Sequence, residues 1–306
     1  MVDYYFLGRI IREERKRLGI TQEELCNDEK DLSLLSRLER DKRIPDRKTV
    51  EYFFEKLGLL IPEGSIPMTE AEYRRYCLEY ELTVQLADGA TETLEKLEAY
   101  KSCTPNMGRF ERQFYEYHRT LYESIHGAAP EGAAHRFADA LRLTLPSFRL
   151  DGDIPAEFLS KTELMILNNI ARMDYQSGKK TEAIRLMRFL RDYFNSKPVD
   201  IRVKAEKYPV ILFNLAGWLD MAGNIEEALQ LSNEGIEFCA RHGKLFYFAY
   251  HIFNTGYCLA EQGKLDEAKA LFDYAFKTME LTGKHDEVLM GKKELNKLFG
   301  YDFPEK

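Results

Sequence analysis

The sequence predicts an all-α protein, an N-terminal helix-turn-helix bundle followed by a right-handed superhelix of stacked helix pairs. Three observations predict it. Apolar residues recur at three- and four-residue spacing along nearly the whole chain, and alternating β-branched runs are few. Prolines gather at breaks: Pro45, Pro62 and Pro67 near the front, Pro105, Pro130, Pro146 and Pro155 in the middle, Pro198 and Pro209 between long helical stretches. Three segments of the second half align without gaps: "LNNIARMDYQSGKKTEA" (Leu167–Ala183), "LFNLAGWLDMAGNIEEA" (Leu212–Ala228) and "IFNTGYCLAEQGKLDEA" (Ile252–Ala268). Such self-similarity marks an array of stacked units.

The elements follow in order. Leu7 to Leu18 is amphipathic, with Leu7, Ile10, Ile11 and Leu18 on one face, and Gly19 ends it. Thr21 opens a second helix, with Glu24 three residues on as its capping-box partner and Leu25 and Cys26 facing inward. Asp31 caps a third helix, Leu32 to Arg40, whose Leu35 and Leu38 form the buried stripe. A fourth helix runs from about Arg47 to Leu57 and buries Val50, Phe53, Phe54 and Leu57. The segment Leu59–Tyr73, "LLIPEGSIPMTEAEY", holds two prolines and a glycine, and Thr69 and Glu72 form a capping box for the next helix. We therefore expect residues 1–62 to be a front helical domain, 63–68 a linker, and 69–306 a repeat domain of about five helix pairs and a capping helix. Weaker repeats are expected around Gly89 and Gly127.

The second and third helices of the front bundle have the spacing of a pair that places its second helix in the major groove. "LGRIIREERKRLGITQEEL" followed by "LLSRLERDKRIP" resembles the Xre/Cro-type repressors over about residues 5 to 58. The resemblance implies that Ser33, Ser36 and Arg37 face base edges, where Arg bonds guanine bidentately. It implies that Gln22 contacts phosphate from a helix N-terminus, and that Arg40, Lys42, Arg43 and Lys48 neutralise further phosphates. Glu39 reads as the structural partner of a nearby arginine. The acidic Asp28 and Glu29, and Leu32 and Leu34 at positions usually polar, lower the expected affinity of one copy.

In the repeats, each segment carries an Asn, a small residue two later (Ala171, Ala216, Gly256), a Gly nine after the Asn (Gly178, Gly223, Gly263), and an Ala five after that (Ala183, Ala228, Ala268). Small residues let the two helices of a hairpin approach, and the glycine permits the turn. The pattern is similar to the tetratricopeptide repeat, although the glycines stand 45 and 40 residues apart where about 34 is usual. In such repeats the first helix of each pair lines the concave face. Asn169, Asn214 and Asn254 share one register there, and a ladder of amides can bond both the N–H and the C=O of an extended peptide. Tyr250, Phe253 and Tyr257 share the side of Asn254, Phe213 precedes Asn214, and Arg172 is placed to take a carboxylate. The competing reading makes these aromatics inter-repeat core and the asparagines helix bridges.

The order of parts resembles the RRNPP group of peptide-pheromone receptors. That resemblance implies a cytoplasmic transcription regulator that binds double-stranded operator DNA and a short signalling peptide, and that forms a homodimer through the repeats. The rival reading is a repeat adaptor for a protein partner, with a front domain that does not bind DNA.

Composition bounds these readings. The net charge is −7 over 306 residues. Residues 1–61 carry 13 basic and 13 acidic residues, so the acidic excess lies beyond them. Five widely spaced cysteines without CxxC predict reduced thiols. No apolar run reaches membrane-spanning length, and no secretory signal pattern opens the chain, so a cytoplasmic location without membrane contact is expected. The six histidines lack metal-ligand spacing, and neither a phosphate-binding glycine loop nor a nucleophile elbow occurs. We therefore expect no catalysis, cofactor or metal.

Overall fold

The computed structural model describes residues 6–26, 30–40, 42–43, 45–59, 70–85, 92–152, 154, 159–197 and 199–304. The expected linker 63–68, Asp28, Glu29, Thr69 and Gly89 lie outside these residues. Among the described residues every regular element is an α-helix, and no helix is long and apolar enough to cross a membrane. Two compact units emerge, Met1–Ile125 and His126–Lys306. This division falls well after the expected linker.

The first unit begins with α1 (Phe6–Arg17), α2 (Gln22–Cys26), α3 (Leu32–Leu38) and α4 (Arg47–Leu57). Their apolar stripes meet in one core of Leu7, Ile10, Ile11, Leu25, Cys26, Leu35, Leu38, Val50, Phe53, Phe54 and Leu57. The starts of α2, α3 and α4 are capped as their sequences dictate. Thr21 Oγ1 accepts from the Glu24 N–H at 3.1 Å, and Glu24 returns a carboxylate to the Thr21 N–H at 2.7 Å. Asp31 accepts from the Ser33 N–H at 2.7 Å, and Asp46 from the Thr49 N–H at 2.8 Å. Leu18 departs from expectation. Helix α1 stops at Arg17, so Leu18 lies in the turn and is 42% exposed.

Three further helices complete this unit: α5 (Glu70–Gln85), α6 (Thr93–Cys103) and α7 (Arg109–Ile125). Helix α5 joins the front bundle rather than standing apart. Tyr73 packs on the front core, and Arg9 lies 3.9 Å from Glu70. Leu82, Leu97 and Tyr100 form a second core beyond it.

The second unit comprises α8 (Pro130–Arg142), α9 (Lys161–Gln176), α10 (Lys180–Ser196), α11 (Ile201–Met221), α12 (Ile225–His242), α13 (Leu245–Glu261), α14 (Leu265–Leu281) and α15 (His285–Phe299). Each helix packs on the one before it, and the first helices of successive pairs also touch. The small residues sit at the closest approaches. Ala171, Ala183, Ala216, Ala228 and Ala268 are essentially fully buried. A Cβ on Gly256 would stand 2.9 Å from the Phe272 ring.

The turns repeat as backbone. Gly178, Gly223 and Gly263 have φ of 90°, 83° and 79°, and Gly283, between α14 and α15, has 80°. After each, one N–H reaches back five residues: Lys179 to Asp174 and Asn224 to Leu219 at 2.8 Å, Lys264 to Leu259 and Lys284 to Met279 at 3.0 Å. These are Schellman closures, which need a left-handed residue at the corner. The turn before α15 was legible as "TGKHDEV" and obeys the same rule, with Val288 in the alanine position.

Pro209 also departs from expectation. It lies inside α11 rather than between helices. Its ring is buried, and its carbonyl accepts from His251 Nε2 at 3.1 Å. At the far end, Asn296 grips the segment after α15. Its Nδ2 donates to the Phe303 carbonyl at 2.9 Å, and its Oδ1 accepts the Phe303 N–H at 2.8 Å.

Candidate nucleic-acid and peptide surfaces

The candidate nucleic-acid surface lies on α3 and the turn after it. Leu35 and Leu38 fix the buried side of α3, which leaves Ser33, Arg37 and Arg40 exposed and Ser36 half-buried on the other sides. The Ser33 hydroxyl donates to Asp31 at 2.9 Å, so it is tied to the helix cap. Lys42, Arg43 and Lys48 are exposed. Leu32 is 41% exposed at the start of α3, whereas Leu34 packs partly against the front core.

A buried polar knot holds α3 in place. Arg15 of α1 clamps Glu39 with two bonds, Nε to Oε1 at 2.6 Å and Nη2 to Oε2 at 2.8 Å, and also donates to the Ile20 carbonyl. Gln22 Nε2 donates to Glu39 Oε2 at 2.7 Å. Burial pushes the Glu39 carboxyl up, but the bonds from Arg15 and Gln22 and the charges of Arg15 and Arg12 outweigh it, so it lies below the usual carboxylate range. Gln22, expected on phosphate, is thus tied to Glu39.

The second surface is the face that α9, α11 and α13 share. Asn169 is buried. Its Nδ2 donates to the Met165 carbonyl at 3.0 Å, and its Oδ1 accepts from Arg172 Nη1 at 2.9 Å. It therefore orients Arg172 rather than offering its own amide. Asn214 Nδ2 is shielded from solvent and has no hydrogen-bond partner among the described residues. Asn254 Nδ2 donates to the Phe213 carbonyl at 3.3 Å, which bridges α13 to α11. The three amides share a register but not a state: the first is satisfied, the second unpaired, the third bridging.

The aromatics divide. Phe213 and Tyr250 meet edge to face at 5.3 Å, and Phe246 lies 4.8 Å from Tyr250. Phe253 instead packs against Phe272 and Phe276, at 5.3 and 5.8 Å, within the core of α13, α14 and α15. Tyr257 lies edge-on to Phe299 at 5.2 Å. Tyr250, Phe253 and Tyr257 are all half-buried and pack at the edge of that core.

Several residues of this face were missed. Tyr175 stacks on Trp218 with centroids 4.3 Å apart and planes 6° apart, linking α9 to α11. The Tyr175 hydroxyl reaches Met221 Sδ at 3.4 Å. Tyr247 on α13 is pushed up by burial, a shift that the charge of Arg172 on α9 opposes. The available signal was register: Trp218 stands four after Asn214, as Met173 stands four after Asn169.

No family model matches the chain, and no curated protein sequence matches it. Solved structures do. PlcR of Bacillus thuringiensis, crystallised with the peptide PapR7 and DNA, superposes with a TM-score of 0.65 at 17% identity, over 92% of this chain and 96% of PlcR. The chain has the fold of the RRNPP-type pheromone receptors. The SHP pheromone receptor Rgg2 of Streptococcus dysgalactiae matches at 0.57 and 16% identity, over 95% of this chain and 99% of Rgg2. ComR of S. thermophilus, solved with DNA and its signalling peptide ComS, matches at 0.54 and 15%, over 94% and 98%. The likeness to these RRNPP-type receptors spans nearly the full length of both chains in each case.

Proposed function

We propose that this protein is a DNA-binding transcriptional regulator controlled by a short signalling peptide. The peptide lies along the shared face of α9, α11 and α13, and α3 reads operator DNA through Arg37 and Ser36. The proposed partition has residues 1–62 as the reader, 63–68 as connector and 69–306 as the peptide-responsive, dimer-forming part.

The observation that carries the reading is the unpaired Asn214 Nδ2, in register with Asn169 and Asn254, in a chain that exposes Arg37 on α3 and Arg40 in the turn after it. A shielded, unpaired N–H costs about 1–3 kcal/mol, which a ligand carbonyl would offset. The fold shared with PlcR, solved with both a peptide and DNA, supports the pairing of these two surfaces in one chain.

A mobility shift on the DNA upstream of the protein's own gene tests the reading. Binding is expected to weaken steeply with salt, and Arg37→Ala is expected to reduce the salt slope by about one if it contacts phosphate, or to relax base preference if it contacts guanine. Absence of salt-sensitive binding, with and without short peptides, would favour a protein-interaction adaptor.

A further inference from the structure

Most glycines inside the helices are demanded by a neighbour. A Cβ on Gly8 would stand 2.0 Å from the Leu38 carbonyl oxygen, on Gly235 2.3 Å from the His251 ring, on Gly256 2.9 Å from Phe272, and on Gly291 3.0 Å from Phe276. Gly217 differs. It lies deep within α11, and the nearest atom to its Cβ position among the described residues is Asn254 Nδ2, at 4.0 Å. Nothing within the fold requires a residue that is a poor helix former at this place.

The register sharpens the anomaly. Three residues after the repeat asparagine stand Arg172 in α9, Gly217 in α11 and Tyr257 in α13. Two long side chains flank a position with none. The resulting notch lies on the same side of α11 as Asn214, three residues earlier, whose Nδ2 is unpaired. Asn254 reaches across beside it, and Trp218, the only tryptophan of the chain, follows it directly. A glycine at such a place permits the close approach of another backbone.

We propose that Gly217 is the floor over which the peptide backbone crosses α11, and that its missing side chain selects a ligand held in extended form between the Asn214 and Asn254 amides. This rests on the peptide-receptor reading and adds to it where the ligand lies and what shape it takes. Asn214 Nδ2 is the donor left for a peptide C=O, while Asn254 Nδ2 stays on the Phe213 carbonyl, so contact at this point reads main chain rather than side chain. An alanine at 217 would fit the fold but narrow the notch. A leucine would fill it.

The test uses the full chain and a synthetic mixture of randomised heptapeptides. Peptides that co-elute with the protein in size-exclusion chromatography are identified by mass spectrometry, then titrated singly by Trp218 emission. Wild type is expected to retain peptides that shift this emission. Gly217→Leu is expected to weaken the retained peptides about tenfold or more, the scale of overpacking a closed contact. Gly217→Ala is expected to raise the melting temperature, through better helix propensity, while weakening the peptides by a smaller factor. Should the leucine variant fail to fold, the alanine variant decides alone. Retention unchanged in every folded variant overturns the floor at Gly217 and leaves the receptor reading standing. No retention by wild type overturns the receptor reading and the floor with it.

Discussion

At the scale of single residues, two buried polar groups set the terms. Glu39 is 4% exposed and satisfied by Arg15 and Gln22. Removing it takes the carboxylate partner from the half-buried Arg15 and leaves Gln22 without its acceptor, so Glu39→Ala is expected to cost about 1–3 kcal/mol in urea unfolding. Because its folded pKa lies below the unfolded value, its contribution is present above the ordinary carboxylate range. It is lost as pH falls through the lowered folded value. Glu39→Gln should therefore flatten the acid limb of the stability profile. A wild-type acid limb that the substitution leaves unaltered would count against this role. His251 is the opposite case. It is fully buried, and burial moves its pKa from 6.5 to about 4, opposed by its bond to Pro209. A histidine depressed in the folded state loses stability as pH drops from the unfolded value toward the folded one. Its ring occupies the space a Cβ at 235 would take, so Gly235→Ala is expected to destabilise the second unit by about 1–3 kcal/mol. Thermal unfolding measures it. None of this was legible at Gly235, because its partner lies on another helix, whereas the pairing of Glu39 with an arginine followed from one acidic residue at the end of a basic, apolar-striped helix.

At the scale of elements, the recurring corner is the unit of design. Gly178, Gly223, Gly263 and Gly283 adopt one conformation and permit one reverse hydrogen bond. The open space around Gly223 means that a Cβ there clashes with nothing across the turn. Gly223→Ala therefore isolates backbone strain, and the expected cost is about 1–2 kcal/mol. Gly178→Ala and Gly263→Ala should cost about the same, and the three should add, as distant sites do. Calorimetry on single and triple variants checks both statements. These corners were readable because Gly and Ala at fixed spacing have a steric cause that acts within one hairpin. The faces were less readable. Phe253 and Tyr257 lie on the asparagine side of α13 by periodicity, and both also pack in part against the core that α13 shares with α14 and α15. Pro209 read as a break because proline opposes helices locally, yet it is buried within α11 and its carbonyl meets His251 of α13. In both places a distant segment decided what the local pattern left open.

At the scale of the whole molecule, an unpaired amide in the repeats and a basic α3 must answer to one ligand if the proposed regulation holds. Asn214→Ala combined with Asn254→Ala is expected to abolish the response of DNA binding to peptide and to leave peptide-free DNA binding intact. Fluorescence anisotropy of labelled upstream DNA, with and without retained peptides, reads both quantities, and a response that survives both substitutions would return the asparagines to a bridging role. The double change also removes the Asn254 bond to Phe213, so a melting curve must accompany it. The chain already contains a worked instance of the chemistry. Asn296 holds the N–H and C=O of Phe303 together, as a receptor amide would hold a visiting peptide. There the two partners belong to one polymer, seven residues apart, and meet at an effective concentration fixed by the short loop between them. A free peptide has no such tether, and association costs it roughly 4–15 kcal/mol of motional freedom. One amide suffices where the chain supplies the neighbour. A ligand arriving from solution needs several contacts in step, and it needs an unobstructed path across the helices that carry them.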